Sequence, residues 1–180
     1  MCAFAVRQAA RQKRVAAPPL PPMDALDRTH RQMMDSLVDL QRLIDHLAEN
    51  GIDAVAQAAS AEICAFFGEV AREHHAAEES LVFPVLLRSG DADLVQHVQR
   101  LQQDHGWLEE DWLELAPQLQ AVWHGYSWYD LDSLRHGVAI FTALHHDHIA
   151  LEESLIYPEA RRRLAAESAS RDQRVDGGTS

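Results

Sequence analysis

Glu73-His74-His75-Ala76-Ala77-Glu78-Glu79-Ser80-Leu81-Val82-Phe83-Pro84 returns 74 residues later as Asp147-His148-Ile149-Ala150-Leu151-Glu152-Glu153-Ser154-Leu155-Ile156-Tyr157-Pro158. In each copy a histidine stands four residues before a glutamate, His74 before Glu78 and His148 before Glu152. Residues four apart share a helix face, so each copy can aim an imidazole and a carboxylate at one point. A repeat that served packing alone would keep only its apolar positions. This one also keeps the polar pair, which points to a metal site.

Helical periodicity extends on both sides of the repeat. A first helix is expected from near Asp24 to the stop signal Asn50-Gly51, with a seam of Leu26, His30, Met33, Leu37, Leu40, Ile44 and Leu47. A second runs from about Asp53 to Arg88. Its inward residues are Ile63, Phe66, Phe67, Val70, His74, Ala77 and Leu81, with Glu78 at the edge of that face, and Pro84 is expected to kink or end it. After the turn Ser89-Gly90-Asp91, a third helix covers about Ala92 to Val122. Its seam is Leu94, Val98, Leu101, His105, Leu108, Trp112, Leu115 and Leu119, and Pro117 should bend its last turns. The aromatic loop from Trp123 to Tyr129 is expected to cap one end of the fold. A fourth helix follows from about Asp130 to Leu164. Leu134, Val138, Phe141, Leu144, His148, Leu151 and Leu155 face inward, with His145 and Glu152 at the edge. Four helices with short connections predict an all-α, antiparallel up-down-up-down four-helix bundle with an internal two-helix pseudo-repeat.

The pseudo-repeat is larger than the opening motif. His30 precedes His74 by 44 residues and His105 precedes His148 by 43. Each half therefore carries a histidine on one helix and His-x-x-x-Glu on the next. Folded together, the halves direct His30, His74, Glu78, His105, His148 and Glu152 inward. Burying four imidazoles and two carboxylates with no charge partner would cost several kcal/mol per ion by order of magnitude, and a pair of cations offsets that cost. Mixed imidazole and carboxylate donors suit Fe or Mn, and also Zn.

Composition bounds the rest. The chain has 180 residues, 47% of them hydrophobic, enough for one domain with a full core. Its net charge of −12 disfavours nucleic-acid binding, which needs Lys and Arg on phosphates, and favours cations. Two cysteines, Cys2 and Cys64, make no disulfide framework, so a reducing, cytoplasmic setting is expected. No apolar run approaches the ~20 residues that span a bilayer, so no membrane partner is expected. Residues 1–22 are basic and proline-rich and read as a disordered extension, with Met23 as the alternative start. Residues 23–165 form the bundle, and residues 166–180 read as a disordered tail.

His30, His74-x-x-x-Glu78, His105 and His148-x-x-x-Glu152, with their Glu-Glu-Ser-Leu-x-aromatic-Pro tails, resemble the hemerythrin-like (HHE cation-binding) domain over about residues 24–164. The resemblance implies a bundle around a non-haem di-iron centre, with terminal histidines, two bridging carboxylates and a bridging oxo or hydroxo oxygen. One iron would take His30 and His74 and the other His105 and His148, or the pairing could be crossed. Glu78 and Glu152 would bridge. Oxygen-carrying hemerythrins have five histidines, two of them four apart on the third helix. Here that position after His105 is Glu109, which argues against simple reversible O2 carriage. The nearer resemblance is to bacterial four-histidine proteins linked to nitrosative stress and iron–sulfur repair.

Several side chains compete for roles. His75 and Glu79 are also four apart, but His75 matches Ile149 in the repeat and would point about 100° from the seam. Glu79 and Glu153 are expected to support ligands rather than bind metal. His145 is either an added ligand on one iron or a supporting partner. His97, His124, His136 and His146 are expected on the surface, Cys64 in the packing, and Met33 and Met34 in the core or site lining. The expected function is binding or sensing of O2, NO or peroxide, by a monomer or weak homodimer, with an unknown protein partner reading any signal. Iron handling, iron-centre repair, a weak di-iron peroxidase or oxidase, and a metal-free helical interaction module are the alternatives. No Glu-x-x-His of the ferritin type occurs in the chain.

Overall fold

The computed structural model describes residues 23–176, with side chains through residue 170. The expected N-terminal extension and residues 177–180 of the tail lie outside the described residues. Four long helices run in sequence: the first Met23–Asn50, the second Ala54–Leu87, the third Ala92–Trp123 and the fourth over residues 131–176. Consecutive helices pack against each other and the fourth closes on the first, which makes the expected bundle. Sequence chemistry sets the corners. Asp53, Asp91 and Asp130 each accept hydrogen bonds from backbone N–H groups in the first turn of the helix that follows. Gly51 at φ 69° and Gly90 at φ 76° take the left-handed conformation that ends a helix before a turn.

The seams of the first and third helices are buried at every expected position. The second and fourth depart from expectation on either side of their His-x-x-x-Glu stretches. Leu81 is half-buried and Leu155 exposed, while Val82 and Ile156 take the inward positions. Val70 is also exposed, and Ala71 is buried in its place. The cause is backbone widening. Phe66–Val70, Glu78–Val82 and Glu152–Ile156 are π-helical turns, in which Ala71, Phe83 and Tyr157 donate to carbonyls five residues back. Such a turn holds one more residue than an α-turn and rephases everything beyond it. Two of the three immediately precede the Phe83-Pro84 and Tyr157-Pro158 pairs. A proline ring collides with the carbonyl of the preceding turn in a regular helix. With the turn widened, the second helix passes Pro84 to Leu87 and the fourth passes Pro158 to Asp176. The helix thus continues well beyond Leu164, into the stretch expected to be disordered.

Two apolar clusters fill the interior. The larger includes Met33, Leu37, Ile44, Phe67, Trp112 and Phe141; the smaller includes Leu26, Phe83, Leu86, Leu101, Ile156 and Tyr157. A polar layer of histidines and glutamates lies between them. Contrary to expectation, the second helix is long and apolar enough to cross a membrane by length and composition. It is also the helix that carries His74, His75 and Glu78 into the polar layer. The aromatic loop does less capping than expected: Trp123, Tyr126 and Trp128 are exposed, and only Tyr129 packs on the core.

Candidate metal centre

All six expected ligands are buried, and Glu78 and Glu152 have no exposed surface at all. Their donor atoms gather in two groups. His30, His74, Glu78 and Glu152 form one; His75, Glu78, His105 and His148 form the other, with the atoms of each group within 4.8 Å of one another. Glu78 belongs to both. Its carboxylate lies 3.2 Å from His74 Nε2 and 3.5 Å from His105 Nε2. Glu152 lies 3.1 Å from His30 Nε2 and 3.3 Å from His148 Nε2, so it also reaches across. His30 is grouped with His74, and His105 with His148, so the pairing is uncrossed.

His75 corrects the sequence reading. It is buried, joins the second group and stacks on His105 at 4.2 Å. The angle of about 100° between adjacent helical residues turns it away from the line of His74. That argument assumes one line of ligands per helix. A site wide enough for two cations needs donors on either side of that line, and His74 and His75 straddle it, one toward each group. The centre therefore offers five imidazoles. The fifth comes from the second helix, while Glu109 points away and pairs with Arg72 at 3.6 Å.

The supporting contacts cross between halves. Glu153 accepts from His30 Nδ1 at 3.2 Å, and Glu79 accepts from His105 Nδ1 at 2.8 Å. In each case the glutamate after a ligand of one half orients a histidine of the other and leaves its Nε2 facing inward. The aromatic residues of the repeat follow the same rule. Tyr157 stacks on His30 at 5.0 Å, and Phe83 stacks on His105 at 5.6 Å. Tyr157 adds a hydroxyl that Phe83 lacks; it donates to Glu78 and lies 3.2 Å from His30 Nε2. An aromatic in a repeat reads as packing, so sequence reasoning missed this donor; the Phe/Tyr difference between copies was the available signal. His145 joins neither group, because its Nδ1 donates to the Phe141 carbonyl at 2.9 Å. Asp104, also missed, is buried with a carboxylate oxygen 3.8 Å from His148 Nδ1. Of the histidines expected on the surface, His124, His136 and His146 are exposed and His97 is half-buried.

The electrostatics fit cations. Burial brings His30 down to about 4, with the neighbouring His74 adding to the effect, and burial also lowers His75 and His148. These imidazoles are neutral and keep lone pairs for a metal. Burial would raise Glu78, but the His105 and His74 imidazoles close beside it hold its carboxylate well below the usual range. Glu152 is pushed well above it by burial and by the charge of Glu78. The protein alone supports one of the two negative charges; a divalent cation on each side would support both. Glu78 Oε2, both oxygens of Glu152, both ring nitrogens of His74 and His148, and Nε2 of His75 and His105 have no hydrogen-bond partner in the protein. Unpaired buried donors and acceptors at this density are costly unless they bind something. The donor set of nitrogen and carboxylate oxygen fits divalent iron, manganese or zinc.

No curated protein matches the chain. The family model described as hemerythrin HHE cation binding domain matches residues 22–160, which span all the candidate ligands above, so the chain belongs to the hemerythrin HHE cation-binding family.

Proposed function

We propose that the chain is a non-haem di-iron protein that binds or senses O2, NO or a reactive oxygen species. The observation that carries this reading is the sorting of five imidazoles and two carboxylates into two groups that share Glu78. The groups are unequal. One offers two imidazoles with two carboxylates, the other three imidazoles with one carboxylate. Two ferrous ions, when bound, supply two electrons and an open coordination position to a small ligand.

The chain's own residues prepare that position. Glu153 and Glu79 hold His30 and His105 in one orientation. Apolar clusters on both sides of the polar layer exclude bulk water and favour small, uncharged entrants. Tyr157 keeps its proton, because burial and the charge of Glu78 raise its pKa. It can therefore donate at Glu78 Oε1 beside the group with fewer imidazoles.

Metal analysis of purified protein with a visible spectrum tests the reading. Two iron equivalents per chain and near-ultraviolet oxo-bridge bands are expected, one equivalent for each group. Stopped-flow mixing of the reduced protein with O2, NO and peroxide should give a spectral change for at least one of them. Iron that leaves readily for an apo acceptor, with no reaction toward these ligands, would favour iron handling or repair. Turnover of peroxide would favour a weak peroxidase. Protein that purifies without metal and takes up none would overturn the proposal.

A further inference from the structure

A cavity of about 350 Å³ opens between the second, third and fourth helices. Small residues make the space: Gly68, Ala71 and Ala116 line it where larger side chains would close it. Phe67, Trp112 and Phe141 are buried and pack ring against ring, with centroids 5.1–5.9 Å apart. Its outer lining includes Arg72 and Glu109, which pair with each other and leave no net charge there.

His145 lines the same cavity and is unused by the metal groups. It is 1% exposed. Its Nδ1–H is committed to the Phe141 carbonyl, so in the neutral ring Nε2 carries the lone pair. No hydrogen bond to Nε2 is formed among the described residues. The cavity therefore combines aromatic walls, an outer lining whose charges are paired, and a buried imidazole whose orientation is fixed by its bond to Phe141. An engineered apolar cavity of ~150 Å³ holds benzene, so this one has room for a ring with a substituent.

We propose that this cavity is a binding pocket for an uncharged, phenol-sized molecule whose hydroxyl donates to His145 Nε2. Aromatic walls take the ring in stacked or edge-to-face contact, and the hydrogen bond to His145 sets its orientation. His75 also lines the cavity, so an occupant would sit against a candidate ligand of the second metal group. The pocket is built by the protein and does not depend on the reaction at the metals. Failure of the di-iron reading would leave the binding outcomes below unchanged.

Isothermal titration of the full-length protein as purified, with phenol and separately with toluene, tests the proposal. Phenol should bind one per chain, about tenfold tighter than toluene, from one added hydrogen bond. His145→Phe should bring phenol to the level of toluene. Gly68→Leu should weaken both, because a Cβ at Gly68 meets nothing within 4 Å and the larger side chain has the cavity to fill. Metal content and near-ultraviolet circular dichroism should match wild type in both variants. Equal affinity for phenol and toluene, phenol binding untouched by both substitutions, or no heat with either compound would overturn the pocket. A new visible charge-transfer band on adding phenol would also overturn it, by putting the phenol on the metal.

Discussion

His75→Leu should change stability in opposite directions with and without metal. His75 is buried, and its Nε2 has no hydrogen-bond partner in the protein. With metal stripped, a buried nitrogen left unpaired costs about 1–3 kcal/mol. Leucine fills a similar volume with no polar atom, so the stripped variant should be more stable than wild type by about 1–2 kcal/mol. With a divalent metal in excess the second group falls from four donors to three. If that weakens its ion about 100-fold, the ligand-linked stabilisation drops by about 2.7 kcal/mol. The variant should then be the less stable protein. Urea unfolding of both proteins, in chelator and in excess metal, reads the two differences directly. A change of the same sign and size in both conditions would show that His75 is only packing, and the five-imidazole centre would fail with it.

Glu153→Ala and Glu79→Ala should each weaken one metal equivalent about 10–100-fold, measured by competition with a chromophoric chelator. The two losses should fall on different equivalents, because the glutamates hold His30 and His105 in different groups. Tyr157→Phe should retain the His30 stacking and both equivalents, yet lower stability by about 1–3 kcal/mol in urea, since Glu78 loses its donor. Acid should destabilise the metal-free protein through His145. Burial brings that imidazole from 6.5 down to about 3, so the unfolded chain takes up a proton that the folded chain refuses. The contribution is complete above pH 6.5 and is lost as pH falls toward 3, at up to ~1.4 kcal/mol per unit. His145→Phe should flatten unfolding free energy against pH by one proton over that window.

The first and third helices were legible because they are regular. Steps of four and three from Leu26 to Leu47 and from Leu94 to Leu119 carry straight into burial. His30 and His105 could be read as candidate ligands because each stands on those steps in place of an apolar residue. The second and fourth helices hid their lower halves, because no residue pattern announces a π-turn. A regular helix from Glu78 leads to Leu81, and only the widened turn makes Val82 the inward residue. His75 was lost to a related simplification, a site of no width. The cavity by His145 could not be read at all, since it depends on Gly68, Ala71 and Ala116 meeting across separate helices.

The crossed glutamates have a consequence for how the site comes into being. Glu153 serves His30 and Glu79 serves His105, and Glu78 takes part in both groups. Neither helical hairpin, residues 23–90 or residues 91–176, contains a complete set for either cation. Metal affinity is then a property of the closed bundle, and it reports hairpin-to-hairpin docking rather than folding of either hairpin. A slide of one hairpin along the other would therefore draw donors away from both groups at once, so the two groups would weaken together rather than independently.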